Sequence, residues 1–412
     1  MKRILLIALL AVLLAACAPV QPASEAPAQT AATTSSSTTP ENNLENNLSE
    51  GCVEGYNAET DYFPQKTTLT QTQGFSVEYH NNYKVVTIKT PWPGATEGLQ
   101  YVLVQCGTPA PEGFEDSQIV EVPAKSIMTM STTYLPFLDK LGVLDRLVGV
   151  DDTTYVNNPA VLKMAEEGKL ATIGYGAAVN VEKVLEVAPD LVMTYGSGSP
   201  DYDSHPVLIE AGVKVVVNAE WMETTPLGRA EWGKFIALFF NKEAAAETLF
   251  ADTMSRYQEL VAKAATVTSK PTLFTDSDYQ GTWYVAGGKS FAAKMFADAG
   301  ANYLWADDTN TASIPLAFEA VFEKAADADF WINVGYVSDL ASLKANDARY
   351  ADFAAFKNGK VWNNNKRSNA NGGNDYYESA VAEPDVVLAD LIAIFHPELL
   401  ADHEFVYYQQ LK

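Results

Sequence analysis

Histidine and cysteine are scarce in this chain, four of the first and three of the second among 412 residues. Only two of the histidines, His396 and His403, lie near each other. They stand seven residues apart beside Pro397, unlike the spacing of zinc ligands. The protein is therefore not expected to ligate a metal or carry a cofactor, and any iron would arrive already chelated. There is no G-x-S-x-G elbow, no His-Glu-x-x-His and no glycine-rich nucleotide loop. Ser131 or Ser290 with His205 would make a hydrolase pair only if brought together, and no sequence feature does that, so an enzyme is not expected. Positive charge is also in short supply: 28 basic residues face 52 acidic ones, a net charge of −24, which disfavours nucleic acid as a partner. Beyond the first residues no apolar run is long enough to cross a bilayer.

At the N-terminus, Lys2 and Arg3 precede an apolar run from Ile4 to Ala16 that ends at Cys17. The run is too short for a permanent span and reads as an export signal, residues 1–16. Small residues before a cysteine are what a lipoprotein signal peptidase requires, and the pattern resembles the bacterial lipobox. That implies a Cys17 diacylated as the first mature residue and an extracytoplasmic protein anchored to the membrane by lipid. An ordinary cleaved signal with an incidental cysteine is the alternative. Residues 17–50 are Ala, Pro, Ser, Thr and Asn with almost no large apolar side chain, so they read as a flexible tether, or less readily a glycosylated stalk. In an oxidising compartment the remaining pair, Cys52 and Cys106, suggests a disulfide, with two free thiols as the alternative.

The following residues suffice for two lobes. Phe75 to Lys89 alternates around Asn81-Asn82 and reads as a β-hairpin; Tyr101 to Gln105 is a further strand. From Ile119 onward short apolar strands alternate with amphipathic helices, the pattern of parallel α/β units. Strands are expected at 126–130, 147–150, 191–195, 213–217, 272–275, 283–286 and 330–334. Thr225-Pro226 opens a long helical stretch, broken near Asn241 and ending near Ala265. There is also an internal echo. Val181 to Glu186 leads through Ala188-Pro189-Asp190 into LVMTYG; Phe318 to Glu323 leads through Ala325, Asp327 and Asp329 into FWINVG. Two similar lobes joined by a long helix account for it.

VPAKSIMTMSTTYLPFLDKLGVLDRLVGV, NVEKVLEVAPDLVMTYG, SIPLAFEAVFEKAADADFWI and NGGNDYYESAVAEPDVVLADLIAIFHPEL, in this order around a long helix, resemble the substrate-binding proteins of iron-siderophore, haem and vitamin B12 importers. The resemblance covers most of residues 75–412. It implies two α/β lobes with parallel-type sheets, joined by one rigid helix, with a ligand cleft between them. This chain adds an extra β segment at its N-terminus. The expected division is 51–225 for the N-terminal lobe with that segment, 226–266 for the helical segment and 267–412 for the C-terminal lobe. The resemblance also implies a monomer that hands a metal chelate to an ABC permease dimer with its ATPase, Glu182 and Glu319 docking on permease arginines. A ferric siderophore is the first ligand expected, with haem or a corrinoid as alternatives; a surface adhesin or structural lipoprotein is the reading from another class.

Ligands of parallel α/β lobes sit beyond the carboxyl ends of strands. That rule selects Ser131, Thr132, Thr133, Tyr134, Tyr155, Tyr175 and Tyr195, then Trp221 and Arg229, on the N-terminal lobe. On the other lobe it selects Trp283, Tyr336, Asn374 and Tyr376, with Lys366 and Arg367 as cations for an anionic chelate. Gly287-Gly288 ahead of Ser290 reads either as an anion-holding helix start or as a tight turn.

Overall fold

Strand alternation near the N-terminus builds a four-stranded sheet in the computed structural model, which describes residues 44–412. Strands β1 (Phe75–Tyr79), β2 (Tyr83–Ile88) and β3 (Leu99–Gln105) pair antiparallel, and β4 (Ile119–Val122) joins β3 in parallel. The N-lobe sheet follows: β5 (Ile127–Thr129), β6 (Leu147–Val150), β7 (Ala171–Thr172), β8 (Leu191–Thr194) and β9 (Val215–Val217), all parallel, in the order β7-β6-β5-β8-β9. Both faces of the inner strands are covered, so β5, β6, β8 and β9 are mostly apolar. Ile127, Leu191, Met193 and Val216 face one core, while Met128, Val192 and Val215 face the other. Helix α1 (Val181–Val187) packs on the second face and is capped by Asn180, whose Oδ1 accepts from the Lys183 amide.

The helical stretch is two helices. Thr225 caps α2 (Pro226–Leu238), accepting from the Gly228 amide, with Pro226 at the first helical position. Asn241 adopts φ 53°, which ends α2, and α3 (Glu243–Ala264) starts afresh. Its 22 residues span about 33 Å. Ala246 and Leu249 pack into the N-lobe core; Met254, Tyr257, Val261 and Ala264 pack into the C-lobe core. One continuous helix thus serves both lobes.

The C-lobe sheet contains β10 (Thr272–Thr275), followed by a small antiparallel sheet of β11 (Asp278–Tyr279), β12 (Thr282–Ala286) and, after β13 (Asn302–Tyr303), β14 (Ser313–Leu316). It is completed by β15 (Phe330–Ile332), β16 (Val361–Asn363) and β17 (Gln409–Gln410), in the order β13-β10-β15-β16-β17. Helix α4 (Phe318–Ala325) leads into β15 as α1 leads into β8, and α5 (Pro384–Phe395) packs along α3. The echo is therefore a repeated topology. The strand around Trp283 departs from expectation, joining an antiparallel hairpin sheet outside the parallel one, because only Asp276 and Ser277 separate β10 from β11, too few for a crossover. Among the described residues no helix is long and apolar enough to cross a membrane.

Residues 44–50, assigned to the tether, are pinned. Asn47 exchanges two hydrogen bonds with the Gln65 backbone, Asn241 Nδ2 reaches the Leu48 carbonyl, and Glu50 pairs with Arg146 at 2.7 Å. Short polar side chains here bind backbone, which composition does not reveal. Cys17, the export signal and the rest of the tether lie outside the described residues. Cys52 and Cys106 are bonded, 54 residues apart.

Candidate functional site

Two adjoining hollows of about 570 and 310 Å³ lie between the lobes. They share Trp221, Phe291, Tyr376 and Tyr377, so they form one cleft. Another hollow, about 720 Å³, lies at the opposite end of the C-lobe strands, beside 266–271 and Asp329. It is built by one lobe only, whereas the shared cleft sits beyond carboxyl strand ends, where parallel sheets bind ligands.

The C-lobe wall is built from three successive strand ends. Asp276 follows β10, Asn333 follows β15 and Asn364 ends the β16 turn; all three line the cleft. Asp276 and Asn333 hold left-handed backbones, φ 65° and 62°. Two buried indoles pin the first of these turns: Trp283 Nε1 donates to the Thr275 carbonyl at 2.8 Å and Trp331 Nε1 to the Asp276 carbonyl at 2.7 Å. Burial pushes the Asp276 carboxyl up to about 6, partly opposed by the Thr275 hydroxyl, which donates to it at 2.6 Å. Asn333 Oδ1 and the Asn364 Nδ2 amide are enclosed and make no full hydrogen bond, the Asn364 amide lying against the Tyr377 phenol and the Asn333 side chain beside that of Tyr408.

On the N-lobe wall, Arg229 Nε and Nη2 both bind Glu220 Oε2, at 2.9 and 2.7 Å, and its guanidinium lies 4.6 Å from the Phe291 ring centre across the cleft. Thr133 and Trp221 also line it. Ser131 caps the turn before helix Leu135–Lys140, its hydroxyl 2.8 Å from that of Thr133; Thr132 is half-buried in the same turn. The half-buried Tyr195 lies near Asp151, which burial raises to about 6, and near the exposed Tyr175. The extra sheet reaches the cleft too. Its β2–β3 loop lays Trp92 over Gly196 and Gly198, stacked on His205, and brings Pro93 to the rim.

Several expected ligand contacts are elsewhere. Trp283 is fully buried because it lies on the core-facing side of β12, and Tyr134 is buried in the N-lobe core from the turn after β5. Arg367 pairs with buried Asp375 at 2.9 Å over the Tyr407 ring, and Lys366 donates to the Phe405 carbonyl, so neither cation lines the cleft. Asn374 is used within its own loop, accepting from the Tyr376 amide. Tyr155 is exposed outside the cleft lining, with its backbone against Gly373. Tyr336 is 94% exposed; burial raises the pKa of the neighbouring Tyr377 phenol, and the Tyr336 hydroxyl adds to the rise. Tyr376 does line the cleft, with its pKa pushed up to about 12 by burial. A Cβ at Gly287 or Gly288 would fall on the carbonyl oxygens of Asn310, Ala312, Trp305 and Asp308; that wall of acceptors makes the segment a tight turn, unfit for an anion.

The amide-rich loop clasps the other lobe. Asn369 Nδ2 donates to the Thr154 and Val156 carbonyls, both at 3.0 Å, and Glu378 accepts from the Asn157 and Asn158 amides at 2.6 and 2.8 Å. The sequence reading missed Asp276 and Asn333, although each is the first residue past an expected or observed strand end, where the carboxyl-end rule points.

A periplasmic binding protein family model matches residues 127–366, more than half of the chain, with the whole N-lobe sheet and the C-lobe strands β10 to β16. The chain belongs to the periplasmic binding protein family. An uncharacterized lipoprotein of Methanocaldococcus jannaschii is 28% identical over 389 residues, 88% of this chain and 95% of its own length. The fold resembles a periplasmic heme-binding protein of Pseudomonas aeruginosa, at 20% identity and TM-score 0.53 over 70% of this chain and 98% of that one. It also resembles an ABC transporter substrate-binding protein of Listeria monocytogenes, at 16% identity and TM-score 0.51 over 66% and 99%.

Proposed function

We propose that this periplasmic binding protein is the capture subunit of an ABC importer, taking a metal chelate of the siderophore, haem or corrinoid type, with a ferric siderophore as first choice. The observation that carries the reading is the cleft between two parallel sheets on a shared helix, walled by Trp221, Phe291, Tyr376 and Tyr377 around a few polar groups. Aromatic faces suit the apolar ligand shell of a chelate. The heme-binding and importer neighbours share this fold. A Cys52–Cys106 disulfide suits an extracytoplasmic place, and a lipidated Cys17 would keep the protein at the membrane.

Docking belongs to the same reading. Glu182 and Glu319 stand exposed in the first turns of α1 and α4. Each helix runs back against the strands it joins, so its start lies at the carboxyl edge, on the side of the cleft. One carboxylate from each lobe would then flank the cleft mouth, where a permease meets both.

The test is titration with a ferric trihydroxamate, a ferric triscatecholate, haem and cobalamin, read by fluorescence of Trp221, which is 39% exposed in the cleft. Saturable one-to-one quenching by at least one of them, with the chelate recovered unchanged, is expected. Absence of binding across the panel rejects the chelate reading.

A further inference from the structure

We propose that the cleft selects a chelate that is neutral or positively charged, seating its hydrogen-bonding face on Asp276, Asn333 and Asn364. This deepens the capture reading above and rests on it. Two carboxylates, Glu223 and Asp276, line the larger hollow. Among the described residues lining either hollow, Arg229 is the lone cation, and two of its nitrogens are spent on Glu220. The cations of the amide-rich loop are engaged outside the cleft, with Asp375 and the Phe405 carbonyl. A ligand carrying carboxylates or catecholates would bring negative charge to a poorly hydrated wall with no free counterion, which costs affinity.

The same wall has capacity for a different ligand face. Asn364 is 5% exposed, its Nδ2 making no full hydrogen bond and lying against the Tyr377 phenol, and Asn333 Oδ1 is without a partner in the same lining. A buried amide edge without a full hydrogen bond is costly, and a small rotation of either side chain toward a ligand that supplies an acceptor and a donor removes that cost. Amide-rimmed chelates present both groups, as does a trihydroxamate whose linkers carry amide N–H groups. A cation on the ligand would meet the Asp276 carboxylate, held in place by the Trp283 and Trp331 indoles. Phe291 and Trp221 leave apolar surface for the rest of the chelate.

The experiment uses the same panel, with the ferric trihydroxamate in three forms: its pendant amine free and cationic, acetylated and neutral, or succinylated and anionic. Binding is expected from at least one neutral or cationic member, while haem and the triscatecholate bind at least about tenfold more weakly. If the trihydroxamate is the binder, the succinyl form is the weakest of its three. For the best ligand, Asn364→Leu is expected to lower affinity about tenfold, and Asp276→Asn to narrow the gap between cationic and neutral forms. Should Asn364→Leu fail to fold, Asn333→Gly, which keeps the left-handed turn and removes the Oδ1, reads the same seat. Tightest binding by haem or the triscatecholate overturns the charge selection and leaves the capture reading standing. Full affinity in the folded Asn variant overturns the seat. No binding by any member removes the capture reading first, and this inference with it.

Discussion

Asp276 lies on the cleft wall, one residue past the end of β10. Its left-handed backbone turns the carboxyl into the cleft, and the two indoles fix that turn. Burial raises its pKa to about 6, so the folded protein binds a proton there that the unfolded chain releases nearer pH 4. Stability from the protonated form is therefore fully present below about pH 4 and is lost as pH rises through about 6. The phenols facing it, Tyr303, Tyr376 and Tyr377, do not titrate in that window. Relative to Asp276→Asn, the ligand-free wild type is expected to gain on the order of 2 kcal/mol of stability between pH 7 and pH 4. Urea denaturation of both proteins across that range measures it, and parallel pH curves refute it.

At the scale of elements, the elbow between α2 and α3 is the critical joint. Lys84, from β2 of the extra sheet, places its Nζ 2.6 Å from Glu243, 2.8 Å from Asn241 Oδ1 and 2.7 Å from the Leu238 carbonyl. The pair is wholly enclosed, and burial lowers the lysine's pKa against the pull of Glu243. Removing one member leaves the other charged and unpaired, which costs about 3–5 kcal/mol. Lys84→Met should lower the denaturation midpoint accordingly, and Lys84→Met with Glu243→Met should recover most of the loss. Equal stability of the two variants would show that the ion pair does not hold the elbow. The extra β layer thus braces the helix that joins the lobes, besides sending Pro93 to the cleft rim.

For the whole molecule, the shared helix and the Asn369 and Glu378 clasp tie the two lobes together, so on the proposed docking reading a permease would meet both acids at one spacing. That makes the two exposed acids testable as a pair. Reversing both, Glu182→Lys with Glu319→Lys, should abolish chelate uptake by cells carrying the permease, while ligand affinity and melting temperature stay as they were. The fold tolerates the change, because the Glu319–Arg349 pair, at 3.2 Å, is exposed and worth about 1 kcal/mol at most. Normal uptake by the double variant rejects the docking assignment.

The sequence by itself determined the alternation of strands and helices, the repeated α1–β8 and α4–β15 units and the break at Asn241, because these follow from local periodicity, capping and turn chemistry. It also brought Trp221, Arg229, Thr133 and Tyr376 into the candidate cleft through the strand-end rule. The tertiary structure alone decided which way the other strand-end side chains point. Trp283 and Tyr134 went to the cores, and Lys366, Arg367 and Asn374 to their own surroundings, while Asp276 and Asn333 turned to the cleft on left-handed backbones. The clasp from Asn369 to Thr154 spans 215 residues. Composition marked that loop as polar and aromatic, but whether its amides meet a ligand or the opposite lobe depends on packing between distant segments, which no local pattern encodes.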